Sequence, residues 1–278
     1  MTPERIPTPQ EVLAFYVEAG VDCALGEEPV NRLADDAPSP KPILAEPPTP
    51  PPSQARAAPA VAPPPEAAMV SARDAARTAQ SLDELRRLLE NFDGCALKFT
   101  ASRLVFSDGN PQSRLMFVGE APGRDEDLAG LPFVGRSGQL LDRMIGAIGL
   151  DRTKVYIANI IPWRPPGNRT PTPQETQICL PFIRRQIELV NPDVLVCLGN
   201  PSTQGILETK ESITRTRGRW FDYDTGTRTI KAMPTFHPAY LLRTPISKKQ
   251  TWQDFRAIRA ALAGSPDPGG HRGHDAKN

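Results

Sequence analysis

The sequence predicts an α/β fold of three layers, with helices on both faces of a central four-stranded parallel sheet. Three observations carry this expectation. Four short apolar runs, at 115–118, 155–161, 194–198 and 230–236, have the length of buried strands. Helical periodicities lie between them at 138–148 and 173–190, with a shorter one at 201–207. Strand and helix therefore alternate, the order that a parallel sheet covered on both sides requires.

The flanking elements follow in order. Residues 8–20 place Val12, Leu13, Phe15, Tyr16 and Val17 on one short amphipathic helix ending at Gly20. Twelve of the 32 prolines fall within 37–67, a stretch without apolar periodicity that cannot bury enough surface to offset the entropy of ordering. The expected organisation is a helical segment over 1–36, a Pro/Ala-rich disordered linker over 37–68, one globular domain over 69–264 and a disordered tail over 265–278. Within the domain, Ser81-Leu82-Asp83-Glu84 is a capping-box sequence opening a helix. A hairpin is expected over 220–230 around Asp224-Thr225-Gly226, and a closing helix over 251–262 buries Trp252, Phe255, Ile258 and Leu262.

Charge separates at the linker. Residues 1–68 hold four basic against ten acidic side chains, so the remainder is basic, with 29 against 22. A polyanionic partner and a solvated basic face both fit that balance. The four cysteines, Cys23, Cys95, Cys179 and Cys197, are too scattered for a disulfide framework and suit a reducing cytoplasm. Neither a secretory signal nor an apolar run long enough to span a membrane is present, and a monomer is expected.

In an open parallel sheet, ligands bind beyond the carboxyl ends of the strands. The unusual residues here fall at four such ends: Gly119-Glu120-Ala121-Pro122-Gly123, Asn159, Gly199-Asn200 and His237-Pro238. One pocket can collect them all. Phe133 stands between a proline and glycines in Leu131-Pro132-Phe133-Val134-Gly135, outside any periodic run. No dinucleotide or P-loop glycine pattern follows a strand, which disfavours a nucleotide-binding enzyme.

Together, Gly119-Glu120-Ala121-Pro122-Gly123, Pro132-Phe133-Val134-Gly135, Gln139-Leu140-Leu141-Asp142, Arg164-Pro165-Pro166-Gly167-Asn168-Arg169 and His237-Pro238-Ala239-Tyr240-Leu241-Leu242-Arg243 resemble the family 4 uracil-DNA glycosylases. The similarity spans about 95–262, nearly all of the globular part. It implies the fold of that superfamily, uracil-containing DNA as partner, and hydrolysis of the bond between uracil and deoxyribose by a monofunctional enzyme of base excision repair.

The resemblance also implies roles. Such hydrolysis develops positive charge on the sugar and negative charge on the departing base, which must be held outside the stack. His237, the only histidine outside the tail, resembles the residue that hydrogen-bonds uracil O2 as the anion forms. Asn159 resembles the asparagine that reads the base edge, and its place within an apolar run argues against a mere turn former. Phe133 resembles the aromatic that stacks on the flipped base, ordinary packing being the alternative. Gly119, Ala121, Pro122 and Gly123 would contact substrate. Where the best-known branch has a water-orienting aspartate this chain has Ala121, so Glu120 is the candidate for water activation. The tyrosine that excludes thymine there aligns with Gly123. Arg164, Asn168 and Arg169 resemble a backbone-contacting loop, and Leu241, Leu242 and Arg243 the loop that wedges into the duplex. Lys248 and Lys249 fit phosphate contacts and a solvated rim equally.

The sequence leaves the family in one respect. Family 4 enzymes hold a four-iron cluster on four cysteines; Cys95 and Cys179 match two positions, while Phe92 and Trp163 occupy the others. Two thiolates do not hold such a cluster, so no metal and no cofactor is expected, with the two aromatics filling the vacated space. A non-catalytic or covalent-trapping uracil-DNA binder on the same fold is the alternative function. The trapping branch carries a histidine-containing insertion that is missing from 124–131.

Overall fold

The computed structural model describes residues 65–264. The helix expected over 8–20, the rest of the 1–36 segment, most of the linker and the tail over 265–278 lie outside the described residues.

The four apolar runs become β2 (Leu115–Gly119), β3 (Tyr156–Asn159), β4 (Val194–Leu198) and β6 (Thr229–Thr235). They pair in parallel in the order β3-β2-β4-β6. The sheet is wider than the four strands expected, because β1 (Asp108–Gly109) adds antiparallel to β3 and β5 (Phe221–Asp224) antiparallel to β6. β1 is two residues long and has no apolar pattern to betray it. β5 is the first arm of the expected hairpin, which turns where Thr225 N–H donates to Arg228 O at 3.0 Å.

Alternation along the central strands divides the interior into two cores. Met116 and Val118 of β2 face the same way as Leu195 and Cys197 of β4, toward α1 (Pro65–Thr78), α2 (Leu82–Asn91) and α5 (Pro173–Val190). Leu115 and Phe117 face the other way with Val194, Val196 and Leu198, toward α4 (Arg136–Ala147) and α9 (Lys248–Gly264). Phe117 stacks on Phe255 of α9 with centroids 5.8 Å apart. Each such fully buried side chain contributes roughly 1.5–3 kcal/mol, so both helical layers are firmly fixed to the sheet. No helix among the described residues is long and apolar enough to cross a membrane.

Three details correct the expectations. Trp252, expected inside, is 44 % exposed on α9, whereas Phe255 and Ile258 are buried as expected. The linker ends earlier than composition indicated, since α1 begins at Pro65 with proline in its first turn. Ala68, Ala72 and Ala76 recur every four residues and are buried. The stripe packs α1 against α5 through backbone approach, and so it looks like linker composition. At α2, Ser81 Oγ accepts from Glu84 N as expected, yet the Glu84 carboxylate takes the N–H of Gln80.

Candidate active site

The site lies at the carboxyl ends of the parallel strands. Gly119 ends β2 in register with Asn159, which ends β3. Beyond that point Ile160 N–H and Ile161 N–H donate to Gly119 O and Glu120 O, both at 3.0 Å, so the turn leaving β2 is tied to the chain leaving β3. The turn feeds α3 (Arg124–Ala129). β4 leads into α6 (Asn200–Leu207), the short α7 (Ile213–Thr216) follows, and β6 passes through Phe236 into His237, the N-cap of α8 (Pro238–Arg243).

A cavity of about 650 Å³ opens there, lined among others by Glu120, Phe133, Asn159 and His237. Its inner surface is closely fitted. A Cβ on Gly119 would lie 2.4 Å from Asn159 Oδ1 and 2.6 Å from Phe133 Cζ, so only glycine lets the amide and the phenyl ring meet across β2. Phe133 is 4 % exposed, and its ring centroid lies 5.5 Å from that of His237. Asn159 is 5 % exposed, and its Oδ1 is buried with no hydrogen-bond partner.

His237 has a fixed tautomer. Its Nδ1 accepts from Ala239 N at 3.1 Å, which leaves the ring proton on Nε2 when the imidazole is neutral. Burial, assisted by the charge of Arg243, lowers its pKa to about 4, so the ring is uncharged at neutral pH. Burial alone pushes the Glu120 carboxyl above its usual range. The cavity thus presents an amide acceptor, a neutral N–H donor, an aromatic face and a carboxylate, a set able to hold a flat heterocycle by its edge and face.

The uracil DNA glycosylase superfamily model matches residues 106–256. This chain belongs to that superfamily. The type-4 uracil-DNA glycosylase of Archaeoglobus fulgidus is 39% identical over 193 residues, covering 68% of this chain and 96% of that protein. The enzyme of the same type from Thermotoga maritima is 46% identical over 150 residues, 54% of this chain and 77% of the relative. That of Saccharolobus solfataricus is 38% identical over 189 residues, 66% and 86% respectively.

Within this member of the glycosylase superfamily, Ala121, Pro122, Gly123, Asn168, Arg169 and Arg243 also line the cavity. Gly119 acts from beneath, by leaving room. Arg164 Nε donates to Asn168 Oδ1 at 2.7 Å, bracing the proline loop. Arg169 is paired through both terminal nitrogens with Glu175, at 2.8 and 2.6 Å, so its charge is largely spent on the cap of α5. Leu241 corrects the expectation for the wedge: it is 1 % exposed and belongs to the interior, whereas Leu242 is 38 % exposed. Successive positions on a helix face about 100° apart, and α8 puts one leucine in and the next out.

Sequence reasoning passed over Glu126 and Tyr240. Glu126 is a buried carboxylate whose Oε2 accepts from Gly123 N at 3.0 Å, so it shapes the turn behind Glu120. It belongs to the acidic run Asp125-Glu126-Asp127 in the first turn of α3, where the helix dipole alone favours carboxylates. Tyr240 lines the cavity while its ring packs on Phe236 at 4.9 Å.

The donor set does not fit an iron-sulfur cluster. Cys95 and Cys179 are buried with their Sγ atoms 3.9 Å apart, close enough for the Cys179 thiol to lean on Cys95. That contact and burial push the Cys179 thiol well up. Phe92 and Trp163 are buried in the same core, Phe92 meeting Phe182 edge-on at 5.1 Å. Among the described residues no group of three or more His, Cys, Asp or Glu side chains stands ready for a metal.

Proposed function

We propose that this chain is a monofunctional uracil-DNA glycosylase of base excision repair, hydrolysing the N-glycosidic bond of deoxyuridine flipped out of DNA, and that it works without an iron-sulfur cluster. The observation that carries the reading is the buried Oδ1 of Asn159, which has no hydrogen-bond partner, on a residue that lines one cavity with Phe133 and His237. A buried acceptor without a partner costs about 1–3 kcal/mol. The N3–H of uracil removes that cost, while the Asn159 amide N–H serves O4. Cytosine offers a lone pair at N3 and an amino group at C4, leaving like facing like on both atoms.

His237 supplies the other half of the argument. Negative charge gathers on uracil O2 as the bond breaks, and the neutral Nε2–H is a preorganised donor for it, needing no proton from solvent. Glu120, on the same cavity wall, holds the attacking water and favours the positive sugar. The names of the relatives at 34–46% identity agree with this activity.

Loss of the cluster is supported by the cysteine region. Two thiols in mutual contact do not supply four iron ligands, and two large aromatic side chains occupy the same core. The decisive assay incubates the protein with a labelled uracil-containing oligonucleotide and resolves the products on a denaturing gel. Cleavage appearing only after alkali supports monofunctional glycosylase action. Intact substrate, a strand break without alkali, or a band shifted by covalent protein would overturn it.

A further inference from the structure

We propose that Arg152 and Glu126 form a two-sided clamp that presets Phe133 as the stacking platform for the flipped base, an inference that rests on the glycosylase reading. The platform stands on an improbable backbone. Phe133 has φ of 55°, the left-handed region that an aromatic residue rarely enters. Its loop lacks helical or strand bonds, so its backbone groups need other partners.

Two side chains from different elements provide them. On the carbonyl side, Arg152 Nη1 donates to Pro132 O at 3.2 Å and Nη2 donates to Phe133 O. On the amide side, Glu126 Oε1 accepts from Val134 N at 3.0 Å and from Gly135 N at 2.9 Å. Its second oxygen holds Gly123 N, so one carboxylate joins the platform to the turn bearing Glu120. Arg152 is itself fixed, with Asp142 Oδ1 at 2.7 Å from Nε and Asp108 Oδ2 at 2.5 Å from Nη1. Behind the loop α4 passes so near that a Cβ on Gly138 would lie 1.7 Å from Phe133 O.

Arg152 does not line the cavity, so it acts on substrate only through Phe133. An aromatic face adds binding in proportion to how firmly it is held before the base arrives, because ordering it afterwards consumes part of the gain. The planar guanidinium spans two carbonyls and two carboxylates at once, which a lysine ammonium cannot reproduce.

The test is a double-mutant cycle with single-turnover kinetics on a uracil oligonucleotide. Arg152→Ala should raise the half-saturating enzyme concentration about tenfold, the scale of one lost base stack, and change the limiting rate less. Arg152→Lys should recover little of it. In a Phe133→Ala background, Arg152→Ala should add nothing further. Amide exchange at Val134 and Gly135 should quicken in the Arg152 variants while the sheet stays protected, a readout that needs no activity. An Arg152 effect that persists undiminished without Phe133, or unaltered exchange at these amides, would overturn the clamp. A wild-type protein that leaves uracil DNA intact would instead remove the reading on which it rests.

Discussion

The Nδ1 atom of His237 accepts a hydrogen bond from the backbone N–H of Ala239 at 3.1 Å. This one contact fixes where the ring proton of the neutral imidazole sits, because the nitrogen left over must carry it. It also opposes protonation of the ring, since a doubly protonated imidazole has no lone pair for Ala239. With burial and Arg243 acting in the same sense, the pKa falls from 6.5 to about 4.

The pH dependence follows with a definite sign. kcat/KM should show no limb near 6.5, and nitrogen NMR should report a neutral ring protonated at Nε2 down to about pH 5. The stability linked to this histidine is whole above pH 6.5 and is lost as pH falls toward 4, because the unfolded chain takes up the proton first. An NMR titration midpoint near 6.5 would contradict the burial argument.

Glu120→Gln should reduce single-turnover cleavage by about a hundredfold or more while DNA binding survives. The carboxyl is raised by burial, so any acid limb in the wild-type profile should lie above the usual glutamate range and disappear from the residual activity of the variant. Cleavage unchanged by the substitution would take Glu120 out of the mechanism.

Gly119→Ala tests the convergence of the site with one methyl group. The added carbon would fall 2.4 Å from Asn159 Oδ1 and 2.6 Å from the Phe133 ring. Overpacking of this kind costs about 1–3 kcal/mol of stability, and here the side chains displaced are those proposed to hold the base. Thermal melting should show a moderate loss and the cleavage assay a fall of two orders of magnitude or more.

The two adjacent leucines should separate cleanly. Leu241→Ala should lower stability by about 2–5 kcal/mol, as expected for a buried leucine. Leu242→Ala should leave melting almost unaltered and reduce cleavage of duplex substrate more than of single-stranded substrate, where nothing needs wedging apart.

Protein purified without oxygen should lack broad absorption near 400 nm and stoichiometric iron and sulfide. Trp163→Ala should then cost about 3–5 kcal/mol of stability, measured by denaturant unfolding, because the indole fills core space.

The sequence by itself determined the alternation of the four central strands with helices, the family, and the turn, asparagine and histidine that meet at one cavity, since apolar runs and glycine-bounded turns are local signals. Asn159, His237 and the turn at Glu120 were legible because each ends a buried strand, where a polar residue has no packing reason to be. Only the tertiary structure decided what holds them. Arg152 looks like any surface arginine until Pro132, Phe133, Asp108 and Asp142 are brought around it. The alanine stripe of α1 gains meaning only against α5, and the choice between Leu241 and Leu242 only once α8 is seated. Hydrogen bonds and close packing between distant segments depend on angles and separations of a few tenths of an ångström, which linear spacing does not encode.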